Sequence, residues 1–250
     1  MILDAFERYK HNLYLSPITS ETIERLGGRC GLSPASNVLD ACCGKGGAGL
    51  TLARRFGCQV TGVEARAEFV EEARRRALFE DLGHLVDIIE APAGDLPFDD
   101  AYFDLALMLG AAHPYDSGRA ARELARVVRP GGRVALSEVV WKPGGRERAG
   151  EAVRSWLGRF VPWEVGEVED LRARYREAGF RVEAADLEAD GAWERFYACQ
   201  AGAILENRRE HKSSPEAQST LDLWQADLEA YHSGGGRESL GYACFLLRPP

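Results

Sequence analysis

Between residues 37 and 139, five short apolar runs recur at the spacing of a parallel sheet with crossover helices. The runs are 37–41, 59–64 (QVTGVE), 86–90 (VDIIE), 103–108 (FDLALM) and 132–139 (GRVALSEV). Segments 47–56, 67–82 and 117–128 lie between them and carry apolar residues at helical period. Parallel strands need long crossovers, so this alternation predicts a sheet covered by helices on both faces. "RPGGR" (129–133) reads as a turn feeding the fifth strand.

Further on, a helix over 168–178 closes at Gly179, and "FRVEAADL" follows as a sixth strand. The last strand-like run is "SLGYACFLL" (239–247). Between them, Trp193, Phe196, Tyr197 and Ile204 keep helical spacing. Leu221, Trp224, Leu228 and Tyr231 repeat in helical steps after Ser214-Pro215, an N-terminal helix signal. Two helices are therefore expected as an insertion over 187–238. At the N-terminus, "SPITSETIERLGG" predicts a helix with a Ser/Thr-rich start and a double-glycine stop. The expected fold class is α/β, a doubly wound, mostly parallel seven-stranded sheet with N-terminal helices and an inserted helical cap, all in one domain of 250 residues.

The net charge of −8 argues against a nucleic-acid partner, because phosphate-backbone binding rests on clustered Lys and Arg. No run approaches the 18 or so apolar residues of a membrane span. "MILDAFERYKHNLYL" carries acids and lacks a continuous apolar core, so no secretory leader is expected. The six cysteines form no CxxC pair, which favours free thiols in a reducing cytoplasm and no metal centre.

The chemistry-bearing segment is "VLDACCGKGGAGL" (38–50), where the first strand ends in an acid and runs into glycines. Gly44, Gly46 and Gly49 formally satisfy G-x-G-x-x-G, the dinucleotide fingerprint. Asp40 speaks against a pyrophosphate, since its carboxylate would face the diphosphate at close range. It suits a ligand carrying an ammonium group. Glu64 ends the second strand, where an acid accepts both hydroxyls of a ribose.

With "APAGDLPFDDAYFDLAL" (91–107) and "ELARVVRPGGRVALSE" (123–138), these runs in this order resemble the class I, Rossmann-like S-adenosylmethionine-dependent methyltransferases that act on small molecules. The resemblance covers roughly residues 35–140; the C-terminal half is similar to an elaborated bacterial branch. It implies a core over 36–140, residues 1–35 as an N-terminal helical lid, and S-adenosylmethionine as cofactor, leaving S-adenosylhomocysteine as product. It places the methionine ammonium at Asp40, a close backbone approach at Gly44 and Gly46, and the ribose at Glu64. Ala65 falls beneath the adenine, Ala93, Gly94 and Asp95 along its edge, and Leu109 and Gly110 near the methionine end. Two positions depart from the family pattern. Cys42 replaces the first glycine of E/D-x-G-x-G-x-G, and Pro92 stands where many relatives have an Asp for the adenine amino group.

Cys42 and Cys43 read as small turn residues in preference to a thiol, redox or metal site. His113 and Tyr115, just past the fourth strand, are candidates for base and substrate contact. Tyr9, His11 and Asn12 belong to the segment expected over the site, and Glu138 and Trp141 end the fifth strand in the same crevice. His84, His211 and His232 read as ordinary helix and loop residues, and the Trp193 and Trp224 stripes as core or apolar cap. The expected activity is methyl transfer to a small-molecule acceptor of unspecified accepting atom. An NAD(P)-dependent oxidoreductase and a non-catalytic S-adenosylmethionine-binding protein remain as alternatives.

Overall fold

The computed structural model describes residues 3–111, 117–161 and 163–250. The sheet holds β1 (Asn37–Ala41), β2 (Gln59–Glu64), β3 (Val86–Glu90), β4 (Phe103–Leu109), β5 (Val128–Trp141), β6 (Arg181–Leu187) and β7 (Leu240–Arg248), in the order β3-β2-β1-β4-β5-β7-β6. β1 to β5 run parallel, and β7 lies antiparallel between β5 and β6.

The helices before β5 are α1 (Ala5–Arg8), α2 (Ser20–Cys30), α3 (Gly47–Phe56), α4 (Ala67–Phe79) and α5 (Ser117–Val127). Those after it are α6 (Gly145–Arg148), α7 (Glu151–Phe160), α8 (Val168–Glu177), α9 (Asp190–Glu210), α10 (Pro215–His232) and α11 (Gly236–Ser239). The two inserted helices expected from the aromatic spacing are α9 and α10. Ser214 caps α10 by accepting the Ala217 N–H, with Pro215 at the first helical position.

Successive strand residues feed opposite apolar layers, as period-2 geometry requires. Leu105 and Leu107 pack with Val38 and Val60 on one face, while Ala106 and Met108 pack with Leu39 and Val63 on the other. Both faces are buried, which is why the runs read as continuous apolar stretches. From β1 the chain winds outward to β3, then crosses back to β4 beside β1. That reversal opens a crevice at the carboxyl ends of β1 and β4.

Several boundaries differ from the sequence expectation. α2 does not stop at Gly27-Gly28 but runs to Cys30, and Gly31 in the left-handed conformation closes it. Gly27 is there for packing: a β-carbon would come within 2.4 Å of the Phe56 ring on α3. α4 ends at Phe79 instead of residue 82, and Asp81 just beyond it adopts a left-handed φ of 58°. β5 is longer than 132–139. Val128 already pairs with Phe103, an irregularity absorbs the Pro-Gly stretch, and pairing with β7 continues to Trp141. α6 and α7 lie in a stretch that the apolar periodicity did not assign.

Candidate active site

The glycine turn follows β1 directly. Gly44 and Gly46 take positive φ values of 55° and 78°, and Gly46 caps α3 from that conformation. Cys42 adopts the same region, with φ 55°, although it carries a side chain. Asp40, Cys42, Cys43, Gly44 and Leu109 line one crevice, so the ends of β1 and β4 meet as the strand order requires.

Asp40 is 2% exposed, and its Oδ2 accepts the Gly49 N–H at 2.9 Å. Burial pushes its carboxyl up to about 7; the Gly49 hydrogen bond opposes this and the nearby Glu64 charge adds to it. Glu64 holds the turn together: Oε2 accepts from Gly44 N at 3.0 Å, and Oε1 from Ala65 N at 2.9 Å and Arg66 N at 3.0 Å. Among the described residues, neither carboxylate has a basic side chain as an ion-pair partner. Two buried acids without a protein cation make a site suited to a ligand with a cationic amine and hydroxyl donors.

Gly46 sits behind the turn, and Ala65 follows Glu64 at the end of β2. Ala93 is buried in the layer that holds Ala41 and Val63, with Gly94 and Asp95 next in the loop after β3. Burial pushes the Cys42 thiol up to about 12 and the Cys43 thiol well above its ordinary value, so both remain protonated.

The N-terminal segment crosses this crevice. Leu13, Tyr14, Leu15, Ser16 and Ile18 form its other wall. Leu15 and Tyr14 lie so close that β-carbons at Gly44 and Gly47 would come within 2.6 Å and 2.8 Å of them. Lys45, inside the turn, holds the segment down. Its buried Nζ donates to the carbonyls of Tyr9 at 2.6 Å and Lys10 at 3.1 Å, and it lies 5.0 Å from the Phe6 ring centroid.

Leu15, Ser16 and Gly110 lie where a second cavity, of about 110 Å³, opens. Eight aromatic side chains line it, among them Tyr9, Trp156, Phe160, Trp193, Phe196 and Tyr197. Its polar groups are Ser16, Ser137, Tyr242, Glu138 and Arg8. Glu138 accepts from the Tyr175 hydroxyl at 3.0 Å, and Arg8 is paired with Asp227 at 3.0 Å.

Of the residues expected to meet substrate, Tyr9 lines this cavity. His11 does not: it is bonded to Glu206 at 2.9 Å and half-exposed beside a separate polar cavity. Asn12 donates to the Phe196 carbonyl at 3.1 Å. Trp141 is buried in the core and is not part of the cavity wall. His113 and Tyr115 lie outside the described residues. Sequence reasoning passed over Lys45, Ser16, Ser137, Tyr242 and the α7 aromatics. Trp156 and Phe160, four apart, carried a helical signal; Lys45 was the one base in a turn of acids and glycines.

Residues 38–132 match the family model described as "Methyltransferase domain". The chain is 32% identical to the 27-O-demethylrifamycin SV methyltransferase of Amycolatopsis mediterranei, over 94% of this chain and 85% of that protein. It is 31% identical to the sarcosine/dimethylglycine N-methyltransferase of Halorhodospira halochloris, over 94% of this chain and 83% of that one. Among solved structures, a methyltransferase from Thiobacillus denitrificans in complex with S-adenosylhomocysteine superposes with a TM-score of 0.87 at 24% identity, covering 98% of this chain and 97% of that one. The fold, the crevice at the strand-order reversal and these relatives support methyl transfer over the nicotinamide and non-catalytic alternatives. The chain belongs to the class I S-adenosylmethionine-dependent methyltransferases acting on small molecules.

Proposed function

We propose that this enzyme methylates a small acceptor whose apolar, ring-sized body occupies the aromatic cavity. The observation that carries this reading is the cavity itself, which adjoins the cofactor crevice at Leu15, Ser16 and Gly110. Its volume of about 110 Å³ compares with the roughly 150 Å³ that holds benzene in an engineered protein cavity, so a single ring is the scale of its occupant.

The cofactor supplies an electrophilic methyl on a sulfonium, and the protein's task is chiefly orientation. Asp40 faces the methionine ammonium, the turn through Cys42, Gly44 and Gly46 brings backbone close to it, and Leu109 walls that end. Glu64 keeps lone pairs for the ribose hydroxyls beside its backbone bonds. Ala65 lies under the adenine, with Ala93, Gly94 and Asp95 along its edge. The segment carrying Tyr9 acts as a lid that excludes water from both compartments. The acidic charge argues against a nucleic-acid partner, and six free cysteines fit a cytoplasmic setting. Among the described residues, no helix is long and apolar enough to cross a membrane.

The test uses tryptophan emission, since Trp156, Trp163 and Trp193 line the cavity. In the S-adenosylhomocysteine complex, phenol, benzyl alcohol and cyclohexanol should shift emission saturably. Phe160→Ala should weaken that binding about tenfold, the scale of one lost buried ring. Saturable binding of sarcosine with no response to the ring compounds would contradict the proposal.

A further inference from the structure

Where crevice and cavity meet, hydroxyl groups form a short relay whose direction the backbone sets. The Gly110 amide donates to Ser137 Oγ at 2.8 Å, and an amide can only donate. Ser137 Oγ lies 2.8 Å from the Tyr242 hydroxyl in a buried contact. With its Oγ already accepting, Ser137 satisfies its own proton by giving it to the phenol oxygen. The Tyr242 proton is thereby directed away from Ser137, toward the side where Ser16 neighbours the phenol.

The strands make this arrangement. Tyr242 on β7 is paired with Val139 on β5, and Ser137 stands two residues before Val139, so all three share one face. Gly110 ends this set at the mouth of β4 with φ 83°, where a β-carbon would come within 2.6 Å of Ser16. Ser16 borders both the cofactor crevice and the aromatic cavity. Burial keeps the Tyr242 phenol above its ordinary pKa, so it stays a neutral O–H at physiological pH.

We infer that Tyr242, with Ser16, hydrogen-bonds the reacting oxygen of a neutral, hydroxyl-bearing acceptor and so selects oxygen methylation. This rests on the reading that the aromatic cavity holds the acceptor. On transfer, a lone pair of the hydroxyl oxygen forms the O–CH3 bond as the S–CH3 electron pair returns to sulfur, and the hydroxyl proton is released to water. An ammonium acceptor is disfavoured at this point, because the groups of the relay are neutral and the Arg8 cation also lines the cavity.

The experiment pairs phenol, benzyl alcohol and cyclohexanol with aniline, benzylamine and cyclohexylamine. Binding and S-adenosylhomocysteine formation are measured for the wild type, Tyr242→Phe and Ser16→Ala. The wild type should favour each alcohol over its amine. Tyr242→Phe and Ser16→Ala should each lower alcohol binding or kcat/KM about tenfold, the scale of one neutral hydrogen bond, and narrow the preference, with S-adenosylhomocysteine affinity within about twofold. General damage to the fold would instead weaken alcohols, amines and S-adenosylhomocysteine together, and that result overturns the inference. So does ring-compound binding that both variants leave unchanged, which keeps the cavity reading intact. Failure of every ring compound to bind the wild type overturns both.

Discussion

Cys42 is the residue at which this chain departs most from its family's glycine turn, and its backbone shows the cost. A non-glycine residue at φ 55° carries strain of roughly 1–2 kcal/mol. Replacing it with glycine releases that strain against an added unfolded-state entropy of about 0.5–1 kcal/mol. Cys42→Gly should therefore leave the melting temperature unchanged or raise it, with S-adenosylhomocysteine binding retained. A lower Tm together with lost turnover would assign the sulfur a role that its protonated, buried state does not support. Sequence made the identities of Asp40 and Glu64 readable, because an acid at a strand end is a local feature. It did not reveal that Glu64 fastens three backbone N–H groups, which depends on how the turn folds back over β2.

At the scale of elements, the N-terminal segment is the part most dependent on single contacts. α1 is only one turn long and has little helical stability of its own. Lys45 anchors its C-terminal carbonyls to the glycine turn, and burial brings the ammonium down to about 8. Lys45→Met keeps the length and apolar stem but removes the donors. Residues 8–14 should then be cleaved earlier in limited proteolysis and exchange amide protons faster, with the sheet core protected as before. Unchanged protection of this segment would show that Lys45 does not hold it. The parallel strands were readable because each is a continuous apolar run with a turn on either side. α2 was misjudged at Gly27-Gly28 because glycine serves two purposes, ending helices and admitting a neighbour, and only the Phe56 ring tells them apart. α7 went unassigned because its apolar stripe is short and interrupted by Arg and Ser.

Across the whole molecule, the cap and lid are joined by a buried charge network. Asp227 on α10 pairs with Arg8 beside α9 and with Arg159 on α7, while Arg8 Nε donates to Gln200 on α9 at 2.8 Å. The acceptor cavity draws on segments from residue 8 to residue 242, so no local stretch of sequence could disclose it. The cofactor crevice, by contrast, takes Asp40 through Ala48 from one stretch and was largely readable. The account's central claim is that this crevice holds the methionine end of the cofactor through Asp40. Without ligand, the raised Asp40 carboxyl contributes stability that is fully present below the unfolded value near 3.8 and lost as pH rises through about 7. An ammonium partner needs the ionised form, so affinity has the opposite trend. The most direct measurement is calorimetric titration of S-adenosylhomocysteine at pH 6 and pH 8 into the wild type and Asp40→Asn. The wild type should bind up to about tenfold more tightly at pH 8, and Asp40→Asn should bind more weakly than the wild type at pH 8 with little pH dependence. Equal affinities with the same pH profile in both proteins would contradict the account.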